Sequence, residues 1–287
     1  MGRKLIIVLG PTAVGKTDYS IELALRYGSP VISCDARQIY REMSIGTAVP
    51  SAAQLSAVRH YFIQTKSVTE YYTAGIYETE ALELISRLFD EGHETLVMTG
   101  GSMFYIDAVC KGLGHVPTAD LEIRRSLMER LEKEGLEPFR EDLARLDPDA
   151  YATMDLSNVN RVFRALEICL TTGRPYSSFK EGAAPAGRDF EIEKVGLTRP
   201  REDLYDRINR RVVQMVDDGL VQEVRSLAEY RHLTALQTVG YKEVFDYLDG
   251  ACSLDEAVGL IQRNTRHYAK RQLTWWRRDP SIRWIAI

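Results

Sequence analysis

Short apolar runs and longer amphipathic stretches alternate over the first hundred residues. Leu5–Leu9, Val31–Cys34 and Thr95–Met98 are apolar runs of the length expected for buried strands. Lys16–Tyr27 and Thr79–Phe89 instead space their apolar residues as helices do. Repeated strand–helix units predict a parallel sheet with right-handed crossovers, in which ligands bind at the carboxyl ends of the strands.

From residue 117 to residue 182 the periodicity is helical throughout. Residues 118–120 (Thr-Ala-Asp) can cap a helix that ends just before Gly135, and further helices are predicted over Leu136–Leu146 and Asn158–Leu170. The glycine- and alanine-rich segment 181–187 follows as a loop or linker. A run of helices without strands predicts an all-helical subdomain inserted into the core.

The last hundred residues return to the core and then become mostly helical. Phe190–Leu197 predicts another core strand. Ser253 and Glu256 have the spacing of a capping box at the start of a long helix from Leu254. The other predicted elements are helices over Asp203–Asp218, Leu220–Tyr230 and Tyr241–Leu248, and a final strand over Ile282–Ile287.

A glycine-rich loop connects the first predicted strand to the first predicted helix. It matches the phosphate-loop pattern G-x-x-x-x-G-K-[ST] in the strand–loop–helix context that this motif requires. Backbone N–H groups and the helix N-terminus form a cradle for phosphates. Lys16 adds a positive charge, and Thr17 is placed to hold Mg2+. The residues of the loop are Gly10, Pro11, Thr12, Ala13, Val14, Gly15, Lys16 and Thr17.

These features predict an α/β fold, with a P-loop NTPase-like parallel sheet core, an inserted all-helical subdomain and a helical C-terminal part. We expect the core to span residues 1–116 and 187–287 and the helical insertion to span residues 117–186.

Among the predicted strands, only the second is directly followed by an acidic residue. The strand Thr95–Met98 is followed by Thr99, Gly100, Gly101 and Ser102, whereas a phosphate-loop ATPase usually has an acidic residue there for its metal. Asp35 is the only carboxylate at an obvious strand end. The residue types leave three roles open for Asp35: an outer-sphere metal ligand, a general base, or a cap for the following turn.

The long C-terminal helix carries a positively charged face. Arg263, Arg266, Lys270 and Arg277 are separated by three, four and seven residues, which keeps them on one side of a helix. No acidic residue lies between Arg263 and Arg278. Because solvated helix faces usually mix charges, this face predicts contact with a polyanion.

The composition narrows the class of protein without naming a partner. The chain has 287 residues, 45 % of them hydrophobic, and a net charge of −4, so any nucleic-acid site must be a local basic patch. No apolar run reaches membrane-spanning length and no signal peptide is evident. The four cysteines are far apart and the histidines lack metal-ligand spacing. We therefore expect a cytoplasmic protein with reduced thiols and no membrane contact.

Six blocks of sequence occur in one order: 10–17 (GPTAVGKT), 33–40 (SCDARQIY), 100–105 (GGSMFY), 160–167 (NRVFRALE), 239–242 (VGYK) and 270–275 (KRQLTW). Together they resemble the bacterial tRNA dimethylallyltransferases, also called tRNA isopentenyltransferases. The resemblance runs from residue 4 to about residue 284. The block after the second strand and the last block are specific to that family, whereas the phosphate loop is shared with many others.

The resemblance implies transfer of a dimethylallyl group from its diphosphate to N6 of the adenine just 3′ of a tRNA anticodon, with release of diphosphate. The loop would then hold dimethylallyl diphosphate rather than ATP. Asp35 would take the proton of the adenine amine as the new bond forms. Lys16 and a Thr17-bound Mg2+ would stabilise the leaving diphosphate. Arg207 and Arg211 would be additional diphosphate clamps.

Three positions depart from the usual pattern of that family. Ser102 stands where threonine is usual, and it keeps a hydroxyl for a hydrogen bond to the target base. Ala36 replaces the common serine after Asp35, which removes a hydroxyl that would orient Asp35 or contact RNA. Val14 replaces a frequent serine, a milder change because the loop acts mainly through its backbone.

The resemblance also implies contacts to the tRNA anticodon stem-loop, from which the target adenine must be extruded. The helical insertion would clamp this stem-loop, and the basic helix face would have RNA as its partner. No obligate protein partner is evident, so we expect a monomer. The residues assigned to RNA are Asp35, Ala36, Arg37, Gln38, Ser102, Arg124, Asn160, Arg161, Arg164, Gln237, Gly240, Tyr241, Lys242, Lys270, Arg271, Gln272, Trp275 and Arg277.

Two other classes of protein share some of these features. A small-molecule kinase with a helical lid would use ATP on the same fold and needs no polyanion face. A non-catalytic RNA-binding module would keep only a vestigial loop, and the intact Lys16, Thr17 and Asp35 argue against it.

Overall fold

The chain folds into two compact units. A computed structural model describes residues 2–113, 120–179 and 187–287. The first unit comprises Met1–Cys110 and Arg188–Ile287, and the second comprises Lys111–Gly187. The predicted boundary at residue 117 and all of the predicted linker except Gly187 lie outside the described residues.

A six-stranded parallel sheet forms the centre of the first unit. The strand order is β3-β2-β4-β1-β5-β6, and every neighbouring pair is parallel. The predicted α/β class with a parallel sheet core is therefore confirmed. The strands are β1 (Lys4–Leu9), β2 (Val31–Ser33), β3 (His60–Tyr61), β4 (Thr95–Gly100), β5 (Glu191–Thr198) and β6 (Ile282–Ala286).

Helices cover both faces of the sheet in the first unit and build the second unit. The first unit contains α1 (Lys16–Tyr27), α2 (Ala52–Ala57), α3 (Ala74–Asp90), α4 (Met103–Lys111, whose last residue belongs to the second unit), α9 (Arg201–Asp217), α10 (Leu220–Ser226), α11 (Tyr241–Leu248) and α12 (Leu254–Trp276). The second unit contains α5 (Leu121–Glu134), α6 (Glu137–Leu146), α7 (Pro148–Thr153) and α8 (Val159–Thr172).

Several element boundaries differ from the sequence prediction. The six-residue helices α2 and α7 and the two-residue strand β3 were not predicted, because each is too short to show a clear period, and α4 was not predicted either. The helix α3 begins five residues before the predicted Thr79, since Thr73 caps it by accepting the Ile76 N–H. The predicted helix Leu220–Tyr230 is wrong as a single element: α10 ends at Ser226 and a 3₁₀ turn, Ala228–Tyr230, follows.

The central strands are buried on both faces. In β1, Leu5 and Ile7 belong to a cluster with Ile85 of α3, while Ile6 lies on the other face with Leu23 of α1. Because helices cover both faces, such strands form continuous apolar runs in the sequence. This burial is the physical reason why the main strands were predictable.

A separate apolar cluster joins the C-terminal helices to the segment after β2. Val212 of α9, Val224 of α10 and Ile261 of α12 pack with Ile39 and Met43. Met43 and Ile39 are almost fully buried. This cluster fixes the segment after Asp35 against helices that come about two hundred residues later in the chain.

The second unit has its own hydrophobic core. Phe139 and Leu143 of α6 pack against Val162 and Leu166 of α8. Within the predicted capping segment 118–120, Asp120 caps α5 by accepting the N–H groups of Glu122 and Ile123. Within the described ranges, no helix of either unit has both the length and the apolar character needed to cross a membrane.

Candidate active site

The phosphate loop, Asp35 and Ser102 meet at the carboxyl ends of β1, β2 and β4. The Cys34 N–H donates to Thr99 O at 2.7 Å, which brings the segment after β2 against the end of β4. Gly100 makes this approach possible, because a Cβ there would lie 2.1 Å from Cys34 O. Thr12, Asp35 and Ser102 consequently line one cavity.

The phosphate loop has the backbone conformation that its glycines require. Gly10 and Gly15 have φ of 147° and 112°, in the region that disfavours other residues. A Cβ at Gly10 would also lie 2.7 Å from Leu197 O of β5. Two arginines support the loop from outside: Arg199 donates to Val14 O at 2.8 Å and Arg207 donates to Ala13 O at 2.9 Å. Arg199 was not predicted as a site residue.

The loop lies in a strongly cationic environment. Lys16 Nζ donates to Gly10 O at 3.0 Å and Pro11 O at 2.9 Å. Burial lowers the pKa of Lys16 to about 8, with Arg211 adding to the shift and Asp35 opposing it. Burial also lowers the pKa of Arg211, against the opposing effect of Asp35. Several cations with one carboxylate are suited to a multiply charged anion such as a diphosphate.

Asp35 both caps the turn after β2 and lines the site. Its Oδ1 accepts the N–H groups of Arg37 at 2.9 Å and Gln38 at 3.3 Å. The same residue lines two adjoining cavities. The capping role and the site role that the sequence left open are thus compatible, because the turn bonds hold the carboxylate in one orientation.

Ser102 lies directly beside the Asp35 segment. Its Oγ accepts the Ala36 N–H at 2.8 Å, and its own N–H donates to Cys34 O at 3.4 Å. The hydroxyl therefore fixes the backbone of Ala36, the position without the usual side-chain hydroxyl. Ser102 and Ala36 line the same cavity.

Two cavities of different character meet at Asp35. The first, of about 250 Å3, has apolar residues from α9 and α12 and the loop before α11 along part of its wall. The second, of about 580 Å3, contains the phosphate loop and three arginines. Residues common to both are Thr12, Ala13, Asp35, Thr47, Arg211 and Tyr268. The apolar residues of the first are Ile208, Val212, Met215, Val239 and Ile261, and the arginines of the second are Arg207, Arg210 and Arg211.

The helix α12 divides its predicted RNA-facing residues between the surface and the interior. Lys270, Arg271 and Arg277 are exposed. Gln272 is only 1 % exposed: its Oε1 accepts the Thr12 N–H at 2.8 Å and its Nε2 donates to Gly101 O at 2.8 Å. The side chain of Gln272 therefore ties α12 to the phosphate loop and to the end of β4.

Other residues of α12 also have partners inside the first unit. Arg266, part of the predicted basic face, donates to Asn209 Oδ1 of α9 at 2.6 Å. Trp275 Nε1 donates to Asp107 Oδ2 at 3.1 Å, and its ring centroid lies 5.4 Å from that of Phe104. Phe104 is more than half exposed. Arg266 is therefore bound within the first unit, so fewer cations of α12 are exposed than the sequence predicted.

The block before α11 shows the same division. Gln237 and Lys242 are exposed, whereas Tyr241 is fully buried and its hydroxyl donates to Glu223 Oε1 at 2.6 Å. Gly240 has φ of 98° and its N–H donates to Glu243. Gln38, earlier in the chain, donates to Thr47 O and Ala48 O. Tyr241 is thus part of the protein interior, whereas its neighbour Lys242 is on the surface. Nothing in the local sequence distinguishes these two positions.

In the second unit, two of the predicted RNA-facing arginines share one buried acid. Glu167 of α8 is fully buried, and its carboxylate pairs with Arg124 Nη1 at 2.7 Å and with Arg164 Nη1. The Arg124 guanidinium also lies 5.2 Å from the Phe163 ring centroid. Asn160 and Arg161 are exposed on the first turn of α8.

The part of the chain that the structure describes holds no metal site made of protein ligands alone. No group of three or more His, Cys, Asp or Glu side chains is placed to hold a metal there. Thr17 lines the second cavity together with Lys16 and Asp18. One hydroxyl beside a phosphate cradle suits Mg2+, which is usually held by one or two protein ligands plus substrate phosphates and water.

A family model, curated relatives and solved structures that resemble this chain all belong to one family of enzymes. The family model described as IPP transferase matches residues 38–279. The tRNA dimethylallyltransferase 1 of Bacteroides thetaiotaomicron is 51 % identical over 281 residues, 98 % of this chain and 91 % of that protein.

Two solved structures extend the likeness to three dimensions. The full-length tRNA isopentenylpyrophosphate transferase of Bacillus halodurans has a TM-score of 0.70 at 39 % identity, covering 99 % of this chain and 90 % of that one. A eukaryotic dimethylallyltransferase, solved acting on tRNA, has a TM-score of 0.79 at 25 % identity, covering 99 % of this chain and 74 % of that one. The chain therefore belongs to the IPP transferase family, that of the tRNA dimethylallyltransferases.

Proposed function

We propose that this protein transfers the dimethylallyl group of dimethylallyl diphosphate to N6 of the adenine 3′-adjacent to the anticodon of a tRNA. The observation that carries the proposal is the position of Asp35 at the junction of an apolar cavity and a cationic phosphate loop. A prenyl diphosphate has this same division, with an apolar chain joined to a polyanion. Family membership supports the same reaction class.

The donor binds across both cavities. Its diphosphate lies in the phosphate loop, where Lys16 and Arg211 supply positive charge. Its five-carbon chain lies against Ile208, Val212 and Met215, which follow one another along one side of α9. Pockets with an apolar wall and a few convergent polar groups are the usual form of such sites.

In the transfer step, N6 of adenine forms a bond to the first carbon of the dimethylallyl group. The bond from that carbon to the diphosphate oxygen breaks, and its electron pair leaves with the diphosphate. The lone pair of N6 is delocalised into the ring, so the amine is a weak nucleophile until its proton is removed. Asp35 takes that proton as the new bond forms, while Lys16 and Arg211 stabilise the charge that gathers on the diphosphate.

Mg2+ fits the donor set at the start of α1. The Thr17 hydroxyl and the phosphate oxygens of the donor would hold it, since Mg2+ requires few protein ligands. When bound there, Mg2+ would neutralise part of the charge of the leaving diphosphate. The same chemistry serves any phosphate-loop enzyme, so the metal alone does not identify the substrate.

RNA binding uses cations in each unit. In the first unit these are the exposed Lys270 and Arg271 of α12, Arg277 directly after it, and Lys242. In the second unit, Glu167 holds Arg124 and Arg164 side by side, an arrangement that suits RNA phosphates. We propose that the second unit, through its helices α5 to α8, grips the anticodon stem-loop. The target base must leave the stack to reach Asp35, as in other enzymes that act on a base.

The kinase alternative is not favoured. The relatives are tRNA dimethylallyltransferases rather than kinases. The strand β4 also ends in Thr99 and Gly100 without the acidic residue that a phosphate-loop kinase uses for its metal. A cavity with an apolar wall beside the loop is suited to a prenyl chain.

One experiment tests the proposal directly. The protein is incubated with Mg2+, unmodified tRNA and dimethylallyl diphosphate labelled in the prenyl group, and label is measured in the RNA. A matched tRNA with guanine at the target position should remain unlabelled. Absence of transfer, together with phosphoryl transfer from ATP to a small molecule, would overturn the proposal.

A further inference from the structure

A single carboxylate fixes the loop that forms one wall of both cavities. This loop, Ser44–Ala48, is called the wall loop below. Gly46 and Thr47 line the cavity with the apolar wall, and Thr47 and Ala48 line the cavity of the phosphate loop. The position of the wall loop therefore affects the shape of both cavities.

Glu223 of α10 accepts three successive backbone N–H groups of the wall loop. Its Oε2 accepts from Ser44 at 2.9 Å and from Ile45 at 2.7 Å, and its Oε1 accepts from Gly46 at 3.0 Å. The Tyr241 hydroxyl donates to the same Oε1 at 2.6 Å. One side chain thus satisfies four donors, three of them backbone groups that no helix or strand would otherwise pair.

Tyr241 also sets how closely the wall loop approaches α11. A Cβ at Gly46 would lie 2.6 Å from the Tyr241 ring, so the backbone packs directly on the aromatic side chain. Tyr241 is fully buried. Burial and the neighbouring Glu223 raise the pKa of the Tyr241 phenol, so it remains a hydrogen-bond donor at neutral pH.

The anchored loop in turn holds a residue next to Asp35. Gln38 Nε2 donates to Thr47 O at 3.1 Å and to Ala48 O at 2.9 Å. The Gln38 N–H donates to Asp35 Oδ1 at 3.3 Å. Hydrogen bonds therefore connect Glu223, the wall loop, Gln38 and Asp35 in one continuous sequence.

We infer that Glu223 is a positioning residue that sets the fit of the cavities to a five-carbon donor. The inference rests on the proposed prenyl transfer. Glu223 itself is not among the residues that line either cavity, so it acts through the wall loop. A loosened wall would widen the space beside the prenyl chain, which relaxes the discrimination against longer donors. Discrimination by one or a few methylene groups depends on such a fit.

The test compares dimethylallyl diphosphate with geranyl diphosphate, which has ten carbons, as donors to the same tRNA. In Glu223→Gln, an amide nitrogen replaces one acceptor oxygen and faces backbone N–H donors, so the wall loop loses part of its anchor. The ratio of kcat/KM for the ten-carbon donor to that for the five-carbon donor should rise about tenfold. A smaller folded fraction would lower both values equally and leave this ratio unchanged.

Two further variants complete the test. Tyr241→Phe removes one of the four bonds and should raise the ratio in the same direction by a smaller factor, which keeps the inference testable if Glu223→Gln fails to fold. Glu42→Gln is the matched control: Glu42 accepts the Val68 N–H at 3.0 Å and the Ser67 hydroxyl at 2.7 Å, outside both cavities. Its ratio should equal that of the unchanged protein.

An unchanged ratio in both Glu223→Gln and Tyr241→Phe would overturn the inference. Transfer of the five-carbon group by the unchanged protein would in that case still support the proposed function. If the unchanged protein transfers no prenyl group from either donor, the proposed function fails and the inference falls with it. The two failures are therefore distinguishable.

Discussion

At the scale of single residues, Asp35 caps a turn and is also the proposed general base, and a suitable variant separates the two roles. Asparagine keeps an Oδ1 that accepts the N–H groups of Arg37 and Gln38, but it is not a base. We expect Asp35→Asn to lower kcat by roughly 100-fold to 10,000-fold, the usual contribution of a general base, while the Kd for tRNA changes little. Single-turnover transfer and RNA binding measure the two quantities. Equal losses in both would show that Asp35 is not the base.

The ionisation of Lys16 predicts the pH dependence of donor binding. Burial lowers its pKa to about 8, so its positive charge is present at pH 7 and is lost as the pH rises through 8. The KM for dimethylallyl diphosphate should therefore rise between pH 7 and pH 9, by about tenfold if only the charged form binds. Lys16→Arg keeps its charge over this range and should remove the dependence. A dependence that persists in Lys16→Arg would assign it to another group.

A pair of neighbouring valines on α9 tests the apolar wall of the first cavity. Val212 lines this cavity, whereas Val213 is about half exposed. Val212→Phe should raise the donor KM by at least about tenfold, because it fills space needed by the prenyl chain. Val213→Phe makes the same chemical change outside the cavity and should behave as the unchanged protein. Equal effects of the two variants would place the prenyl chain elsewhere.

At the scale of elements, α12 faces the site through the buried Gln272 and exposes Lys270 and Arg271, which we propose contact RNA. Lys270 and Arg277 are exposed, so Lys270→Ala and Arg277→Ala should each weaken tRNA binding and reduce the salt slope by about one. Arg87→Ala removes an exposed arginine of α3 that pairs with Glu91, and it should leave the slope unchanged. Binding titrations at several salt concentrations give the slopes. An unchanged slope in both α12 variants would show that this face does not contact RNA.

At the scale of the whole molecule, each unit has its own core and its own local stability. Glu167→Gln removes the buried charge that pairs with Arg124 and Arg164, and it should destabilise the second unit by about 2 to 4 kcal/mol. Amide hydrogen exchange should then accelerate in α5 and α8 but not in β1 and β4. Glu141→Gln, an exposed change in α6, is the control. Uniform acceleration across both units would contradict this independence.

The sequence predicted those parts of the site that show as a continuous motif or as a regular spacing of residues. The phosphate loop is one continuous motif, and Asp35 directly follows an apolar strand, so both could be identified without tertiary information. The exposed Lys270 and Arg277 followed from helical spacing alone. The main strands were predictable because burial on both faces makes them continuous apolar runs.

The roles that the sequence did not predict depend on contacts between distant segments. Gln272 was assigned to RNA with its neighbours, but its side chain is buried between the Thr12 N–H and Gly101 O. Glu223 has no motif of its own, and only the fold brings it under the wall loop, about 180 residues away in the chain. Helical spacing shows which side of a helix a residue occupies, but not what packs against that side.

The sequence by itself determined the α/β class, the phosphate loop, the carboxylate at Asp35 and the resemblance to the tRNA dimethylallyltransferases. Each of these depends on contiguous residues or on the regular spacing of apolar residues in a helix or strand. The tertiary structure alone decided that an apolar cavity adjoins the loop at Asp35. It also decided that Gln272 and Tyr241 serve the interior, and that Glu223 fixes the wall loop. These facts arise from the packing of α9 to α12 against the carboxyl end of the sheet, and packing across such sequence separations leaves no local pattern to read.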